Sequence, residues 1–301
     1  MRGPALEVEN LVKQYDDVTA VDELSFEVHE GEIFGLLGPN GSGKTTTIRT
    51  IMDIFKPDSG TVRVLGEPPG ASREKVGYLP EERGLYDNLK VMEVLVYLAR
   101  LKGVDGKVAK QRAEGWLERF ELADRSGDKV NSLSGGLRQK LQLIVSLVHD
   151  PELLILDEPF NALDPINVAL FGEVIRELQH AGKTIVLSSH QLNLVEALCD
   201  RIVLINKGRA VLYGPLEEIK RRHSPDAVRV STPEHLNGEL PGVEGLEEQN
   251  GGYVLTLEDG TEPQDLLKTL VGRSVLVEAF EVVSLPLEEI FVSVVRGGED
   301  E

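Results

Sequence analysis

Residues 32–55 of this 301-residue chain, EIFGLLGPNGSGKTTTIRTIMDIF, join an apolar run, a glycine-rich loop and a helical pattern. The run EIFGLLG is typical of a buried strand, and GKTTTIRTIMDIF spaces its apolar residues as a helix does, up to Lys56-Pro57. Between them, residues 38–45 fit the phosphate-loop pattern of glycine, four residues and Gly-Lys-Thr. This order of elements predicts a phosphate-binding loop in an α/β domain.

The side chains of this loop indicate a nucleotide and its metal ion. Lys44 is expected to reach the β- and γ-phosphates, and Thr45 to offer its hydroxyl to Mg²⁺. ATP and Mg²⁺ are therefore the expected cofactors. The loop residues expected to bind the nucleotide are Gly38, Pro39, Asn40, Gly41, Ser42, Gly43, Lys44, Thr45 and Thr46.

A second apolar run ends in two carboxylates. Residues 153–158, LLILDE, place Asp157 and Glu158 at the carboxyl end of a buried strand, where open α/β sheets bind their ligands. Neighbouring residues of an extended strand point opposite ways, so the two carboxylates can have different tasks. We expect Asp157 to hold Mg²⁺, directly or through water, and Glu158 to polarise the attacking water as general base.

A second phosphate-binding helix end is predicted at residues 134–139, SGGLRQ. Ser134 is suited to cap the helix, and Gly135 and Gly136 leave N–H groups of the first turn accessible to an anion. This helix belongs to a region, residues 91–149, whose apolar residues recur three and four apart, as in a helical insertion.

The rest of the chain predicts an α/β core followed by a small α+β unit. PELLILDEP and KTIVLSSH are strand patterns separated by a helix that begins at Asp164 as N-cap and ends before Gly182, so buried strands alternate with helices in a parallel sheet. After about Arg222, HLNGELPGVEGLEEQNGG predicts a strand-poor loop. YVLTL and SVLVEAFEVV then predict strands, and EPQDLLKTLVG and PLEEIFVSVV predict helices.

The phosphate loop, LSGGLRQ and LLILDEP, in this order, resemble the ATPase subunits of ABC transporters over roughly residues 5–220. The resemblance implies a P-loop NTPase core of the ABC ATPase type, an α/β fold with a mixed, largely parallel sheet and an antiparallel β edge. It implies an ATPase domain at residues 1–222, with a helical subdomain at about 88–150, and an accessory domain at 223–301.

The resemblance also assigns roles to residues outside the two main motifs. Tyr15 would stack on adenine, and His190 would contact the γ-phosphate. Asp164 closes the NALD segment that communicates between paired subunits, and it is also expected to bind the nucleotide. Lys44, Glu158 and His190 are thus the expected catalytic residues. Two copies, or this chain and a second nucleotide-binding subunit, would face each other so that Ser134, Gly135 and Gly136 of one bind the ATP of the other.

Two residues depart from the family pattern. Glu81, in YLPEER, stands where the family usually has a glutamine, and a carboxylate there can ligate Mg²⁺ but also repels the γ-phosphate. The expected metal ligands are therefore Thr45, Asp157 and Glu81. Leu137 replaces the glutamine of the usual LSGGQ and removes a side-chain amide, but the glycine N–H groups remain.

LPEERGLYDNL and SLPLEEIFV resemble ATPases of type-2 ABC exporters with a small C-terminal domain. This implies separate integral membrane permease subunits and a cytoplasmic, peripheral position on the inner face of the membrane. Export is favoured over import. The cargo and the role of the C-terminal domain stay open, since that domain can dimerise, dock, regulate or only stabilise the fold.

Charge and composition limit the alternatives. The net charge of −19, with 17 acidic and 4 basic residues in 223–301, disfavours nucleic acid as a partner. The single cysteine, Cys199, fits a reducing compartment, and no stretch approaches the roughly 18 apolar residues of a membrane span. The alternatives kept are a soluble ABC-type ATPase of translation or DNA repair and a nucleotide-dependent regulatory module, neither coupled to transport.

Overall fold

The glycine-rich loop lies between a buried strand and a helix in the computed structural model, which describes residues 3–82, 84–161, 163–236, 240–249, 252–258 and 260–297. The chain divides into two units, Met1–Leu216 and Glu217–Glu301. Arg83 and Ala162, which belong to the LPEERGLYDNL and NALD segments, lie outside the described residues.

The first unit combines strands and helices that follow one another in chain order. They are β1 (Leu6–Tyr15), β2 (Val18–Val28), β3 (Ile33–Leu37), α1 (Lys44–Ile51), β4 (Ser59–Val64), β5 (Val76–Leu79), α2 (Val91–Leu101), α3 (Gly106–Arg119), α4 (Gly135–Leu147), β6 (Leu153–Asp157), α5 (Pro165–His180), β7 (Thr184–Ser189), α6 (Leu192–Leu198), β8 (Arg201–Asn206) and β9 (Arg209–Pro215).

A six-stranded sheet with the strand order β5-β6-β7-β3-β8-β9 forms the centre of this unit. Its strands are parallel except β9, which pairs antiparallel with β8, and β1, β2 and β4 form a separate antiparallel sheet. Every residue of β3, β6 and β7 is buried, as expected for apolar strands covered on both faces. The predicted α/β fold with a mixed, largely parallel sheet is confirmed.

Parallel pairing brings the carboxyl ends of β3, β6 and β7 to one edge of the sheet. Leu37 pairs with Ser189 across β3 and β7, and Asp157 pairs with Ser188 across β6 and β7. The phosphate loop and the two carboxylates, which are more than a hundred positions apart in the sequence, therefore lie at the same edge.

The helix after the loop is shorter than predicted. α1 ends at Ile51, and the backbone N–H groups of Asp53, Ile54 and Phe55 donate to the carbonyls of Thr50 and Arg49. Asp53 has φ of 60°, a left-handed conformation that stops a right-handed helix. In the described part of the chain, none of the helices combines the length and the apolar character that a membrane-crossing helix needs.

The second unit is α+β, as predicted, but two of its segments differ from the predictions. α7 (Leu216–His223) is followed by β10 (Ala227–Ser231), β11 (Val243–Gln249), β12 (Gly252–Leu257), α8 (Pro263–Gly272), β13 (Ala279–Val282) and α9 (Leu287–Gly297), with the strand order β11-β12-β10-β13.

The predicted strand-poor loop, residues 235–252, was wrong where β11 lies, and its residues 237–239 and 250–251 lie outside the described residues. β11 is an exposed edge strand, so it pairs through its backbone without an apolar pattern. In SVLVEAFEVV only the part within β13 is a strand.

Candidate active site

Two glycines of the phosphate loop are fixed by close backbone contacts. A Cβ at Gly38 would lie 2.2 Å from the carbonyl oxygen of Ile205, and one at Gly43 would lie 2.4 Å from that of Ala20. Both glycines also have positive φ, 147° and 111°. The loop therefore holds its shape against β8 and β2 only with glycine at these two positions.

Lys44 lies folded back over the loop. Its side chain is buried, and Nζ donates to the carbonyl oxygens of Gly38 at 2.7 Å and Pro39 at 3.2 Å. Nζ is also 3.6 Å from Oε1 of Glu158. The loop and the end of β6 are thus joined by one ammonium group, which has three donors.

Asp157 ends β6 with a carboxylate that is only half satisfied. Its Oδ1 accepts from the Ser188 hydroxyl at 2.5 Å, whereas its buried Oδ2 has no hydrogen-bond partner among the described residues. Burial raises the pKa of Asp157, and the charges of Glu81 and Glu158 raise it further. A buried oxygen without a partner is costly, so this atom fits the ligand of a cation.

Glu158 directly follows β6 and turns the chain. Its φ is 50°, a left-handed value, and its backbone N–H donates to the Ser188 hydroxyl at 3.0 Å. Its carboxylate is buried, and Oε2 is 2.9 Å from Nδ1 of His190, the residue that follows β7. Glu158 therefore lies between a cation and an imidazole, as a general base held by two partners would.

One cavity of about 410 Å³ brings several predicted site residues together. Its volume is in the range of small-ligand sites. The lining residues are Tyr15, Ala20, Asn40, Gly41, Gly43, Lys44, Thr45, Thr46, Glu81 and Glu158. They come from the end of β1, the start of β2, the phosphate loop with α1, and the segments that follow β5 and β6.

Tyr15 is the last residue of β1 and is 40% exposed. Its ring makes an edge contact with Phe55 at 5.9 Å, and Nζ of Lys13 lies 5.5 Å from its centroid. Its exposed ring at the cavity is able to stack on a planar group.

Other predicted residues lie outside the set that lines this cavity. Gly38, Pro39 and Ser42 belong to the same loop, and the buried Ser42 Oγ has no hydrogen-bond partner in the described part of the chain. Ser134 caps α4, with its Oγ accepting from Leu137 N–H at 3.4 Å, and Gly135 and Gly136 form the first turn.

Asp164 caps α5 instead of lining the cavity. Its Oδ1 accepts from the Asn167 N–H at 2.9 Å, and this bond holds the pKa of Asp164 below its usual range. The predicted N-cap role is therefore present in the structure. It is not among the residues that line the cavity of Lys44, and its contact with a nucleotide stays a prediction.

The sequence-based interpretation missed residues that join these segments. Ser188 contacts both carboxylate residues, Gln139 donates to the carbonyl of Pro159 at 3.3 Å, and Gln142 donates to that of Glu82 at 3.5 Å. The available signal was a polar residue inside an apolar pattern: KTIVLSSH ends in two serines, and α4 carries glutamines on its buried face.

A metal ion at this site would need ligands beyond acidic and imidazole side chains. Across the described ranges, no group of three or more His, Cys, Asp or Glu side chains is placed to hold one. Mg²⁺ commonly takes one or two carboxylates together with phosphate oxygens and water, so the Asp157 and Thr45 oxygens beside a phosphate loop suit it.

Comparisons with known proteins match both units. A family model described as "ABC transporter" matches residues 21–161, and one described as "ATP-binding protein DrrA1-3-like, C-terminal domain" matches residues 214–295. The "Uncharacterized ABC transporter ATP-binding protein YhaQ" of Bacillus subtilis (strain 168) is 40% identical over 291 residues, which are 95% of this chain and 97% of the relative.

A relative with a named cargo and a solved structure are also similar. The "Nod factor export ATP-binding protein I" of Ralstonia nicotianae is 40% identical over 232 residues, covering 75% of this chain and 72% of that protein. The solved "Structure of ATP binding subunit of ABC transporter" superposes with a TM-score of 0.68 at 32% identity and covers 72% of this chain and 92% of that chain.

Proposed function

The chain belongs to the ATP-binding proteins of ABC transporters, and on that premise we propose that it binds Mg·ATP at the Lys44 cavity and hydrolyses it to drive export through separate permease subunits. The observation that carries the proposal is the cluster of Lys44, Asp157, Glu158 and His190 at one sheet edge. In it, a buried carboxylate oxygen is left without a partner by the described residues.

Nucleotide binding is assigned to the loop and its surroundings. Backbone N–H groups of the loop and the N-terminus of α1 attract the phosphates, and Lys44 lies where the terminal phosphates would meet the end of β6. Tyr15 provides an exposed ring for the adenine base.

The metal ligands are assigned to oxygen atoms of this chain. Asp157 Oδ2 and the Thr45 hydroxyl would hold Mg²⁺, with the exposed Glu81 carboxylate as a third candidate. When bound with ATP, Mg²⁺ neutralises charge on the β- and γ-phosphates. The cavity is lined by both Thr45 and Glu81, so the two can act on the same ligand.

Proton transfer is assigned to Glu158. One oxygen of its carboxylate is 2.9 Å from His190 and the other is 3.6 Å from Lys44, so the side chain is held in one orientation. From there it accepts the proton of the attacking water. His190, which is partly exposed, keeps Glu158 in place and can donate to the γ-phosphate.

A second subunit is required to complete this site. Three residues at the starts of α4 and α5 are exposed: the N-cap Ser134, Gly135 and the N-cap Asp164. None of them lines the cavity of Lys44. A facing copy, or a second nucleotide-binding subunit, would place these helix starts on the γ-phosphate. Hydrolysis then removes the group that bridges the two subunits.

Coupling to a permease is assigned to α2 and the loop that precedes it. Tyr86 and Tyr97 stack edge to face at 5.6 Å with half of their surfaces exposed, and Leu101 is 64% exposed nearby on α2. Such apolar surface suits a protein contact. Attachment to the inner face of the membrane, from the cytoplasm, would follow from that contact. The direction of transport rests on the name of the Nod factor export relative.

Phosphate release by the parent chain and by Glu158→Gln tests the hydrolytic assignment. We expect Mg·ATP-dependent release by the parent. The rate in the variant should be at least about 100-fold lower, because a general base contributes roughly that much or more. ATP binding should be retained in Glu158→Gln, since Lys44 and the loop are unchanged. Binding without release in both proteins would contradict hydrolysis and favour the regulatory alternative.

A further inference from the structure

Ser188 is the only residue described here whose side chain bonds to both Asp157 and Glu158. It is fully buried near the end of β7, and strand pairing sets it directly beside Asp157 of β6. We propose that Ser188 is a positioning residue for the Mg²⁺ site: its hydroxyl holds Asp157 through Oδ1, keeps Oδ2 for the metal and anchors the turn at Glu158. This inference rests on the proposed function.

The directions of the two hydrogen bonds determine which oxygen of Asp157 stays available. A serine hydroxyl has one proton and accepts through its lone pairs. The N–H of Glu158 donates to Oγ at 3.0 Å, so the hydroxyl proton is the one shared with Asp157 Oδ1 at 2.5 Å. Oδ1 is thereby occupied, and Oδ2 is the oxygen that the described residues leave without a partner.

The same hydroxyl stabilises an unfavourable backbone conformation. Glu158 has φ of 50°, which is uncommon for a residue with a side chain and is held only when its surroundings fix it. The bond from its N–H to Ser188 is one such restraint. Loss of the hydroxyl would therefore loosen both the carboxylate that holds the metal and the turn that carries the general base.

A matched pair of variants separates the hydroxyl from the shape of the side chain. Thr and Val have the same size and branching, so Ser188→Thr and Ser188→Val add the same methyl group to the buried site but differ in the hydroxyl. Ser188→Ala, which is smaller than serine, provides a second hydroxyl-free variant if valine does not fit.

Thr184→Val is the control for losing a buried hydroxyl. Thr184 begins the same strand, is buried, and accepts from the N–H of Gly31 at 2.9 Å at the opposite end of β7. The partner of this bond, Gly31, is not among the residues assigned to the metal. Its variant should lower stability without changing the response to Mg²⁺.

The measurement is the thermal unfolding midpoint of each protein with a non-hydrolysable ATP analogue in EDTA, and then with increasing free Mg²⁺. The Mg²⁺ concentration that gives half of the midpoint shift reports metal binding without turnover. We expect it to rise by about 10- to 100-fold in Ser188→Val and Ser188→Ala, as for other residues that orient a metal ligand. Ser188→Thr and Thr184→Val should stay close to the parent.

Phosphate release at saturating ATP supplies a second readout. The Mg²⁺ concentration for half-maximal rate should shift with the binding values in the hydroxyl-free variants, and Ser188→Thr should restore it. A loss of folded protein alone would lower the rate at every Mg²⁺ concentration without moving this midpoint.

Three results overturn the inference. If Ser188→Val and Ser188→Ala need the same Mg²⁺ as the parent, or if Thr184→Val shifts as far as they do, the hydroxyl does not position the metal ligand, while the proposed function stands. If the parent itself gains no midpoint shift from the analogue with Mg²⁺, the proposed function and this inference fail together.

Discussion

At the residue scale, the conformation of Gly43 decides whether the phosphate loop can keep its shape. Its φ of 111° and the 2.4 Å approach to the Ala20 carbonyl leave no room for a side chain. We predict that Gly43→Ala lowers the free energy of unfolding by about 1–3 kcal/mol. It should also abolish detectable ATP binding, since the loop must shift. Chemical denaturation and calorimetry check the two parts.

The matched control is Gly66→Ala, outside the site. Gly66 also has positive φ, 78°, but a Cβ there meets nothing within 4 Å among the described residues. It should lose some stability from backbone strain and bind ATP like the parent. Unchanged binding in Gly43→Ala would mean that the contact with Ala20 does not shape the nucleotide site.

Glu81 adds a second carboxylate, besides that of Glu158, to the wall of the cavity. It lines the cavity with a carboxylate, and although burial is the main cause of the raised pKa of Asp157, the charge of Glu81 adds to it. We expect Glu81→Gln to retain or tighten ATP binding, by up to roughly 1 kcal/mol, because repulsion of the γ-phosphate is removed. Turnover should fall severalfold if the carboxylate ligates Mg²⁺.

Glu82→Gln is the control for Glu81→Gln. Its carboxylate pairs with Arg49 at 3.0 Å and is not among the residues that line the cavity. Steady-state kinetics with separate KM and kcat values distinguish the two variants. A Glu81→Gln protein that neither binds nor hydrolyses ATP would contradict the assignment.

The sequence predicted the residues with a motif better than the residues that support them. Lys44, Asp157 and Glu158 stand in patterns whose chemistry is known, and the fold brings them together. Ser188 has no such pattern, because its role depends on which strand lies beside β6. Strand order cannot be obtained from periodicity, since β6 and β7 pair across an intervening helix.

At the element scale, one backbone carbonyl of β5, an edge strand of the six-stranded sheet, joins this strand to the ends of α2 and α4. Val76 O of β5 accepts from Nε2 of His149, after α4, at 3.1 Å and from Nζ of Lys102, after α2, at 3.0 Å. Burial, followed by the charge of Lys102, lowers the pKa of His149 to about 4. His149 is therefore neutral in the folded protein at neutral pH.

This depressed pKa predicts a loss of stability on mild acidification. The folded pKa of about 4 lies below the ordinary value of 6.5, so the unfolded chain takes up the proton first. The contribution is present above pH 6.5 and is lost as the pH falls toward 4. Between pH 7.5 and 5.5 we expect the free energy of unfolding to drop by on the order of 1 kcal/mol.

His149→Gln is the variant that checks this prediction. A glutamine amide can still donate to Val76 O but does not titrate. Urea unfolding at the two pH values should show a smaller decrease in the variant than in the parent. Equal decreases in both would show that His149 is not the group responsible.

The apolar patterns of the sequence predicted the buried core strands but not the polar edge strand β11. β3, β6 and β7 contain the apolar runs IFGLL, LLIL and IVL, which predict buried strands, whereas β11 has the exposed, acidic sequence VEGLEEQ. The end of α1 was placed too late because DIF continues the apolar spacing, and the left-handed Asp53 cannot be seen in a pattern.

At the scale of the whole molecule, the account requires two chains for each pair of sites. In the proposed function Ser134 and Lys44 of one chain act at different sites, and Ser134 does not line the cavity of Lys44. We predict that Lys44→Ala and Ser134→Glu chains are each inactive, and that an equal mixture regains roughly a quarter of the parent activity. Each mixed pair then contains one intact site.

Phosphate release by the mixture, with each variant alone as control, checks this prediction. The glutamate repels the phosphate of the facing chain by charge, while a negative charge at the N-cap of α4 interacts favourably with the helix dipole. No recovery in the mixture, with both variants folded and able to associate, would contradict a site shared between chains.

Calorimetric titration of Mg·ATP into the intact chain and into Lys44→Ala tests the central claim most directly. The account predicts saturable heat for the parent at one nucleotide per chain, and no measurable binding for the variant, since Lys44 joins the loop to Glu158 at the phosphate end of the cavity. A folded parent that takes up no Mg·ATP, or a Lys44→Ala protein that binds it equally well, would contradict the account.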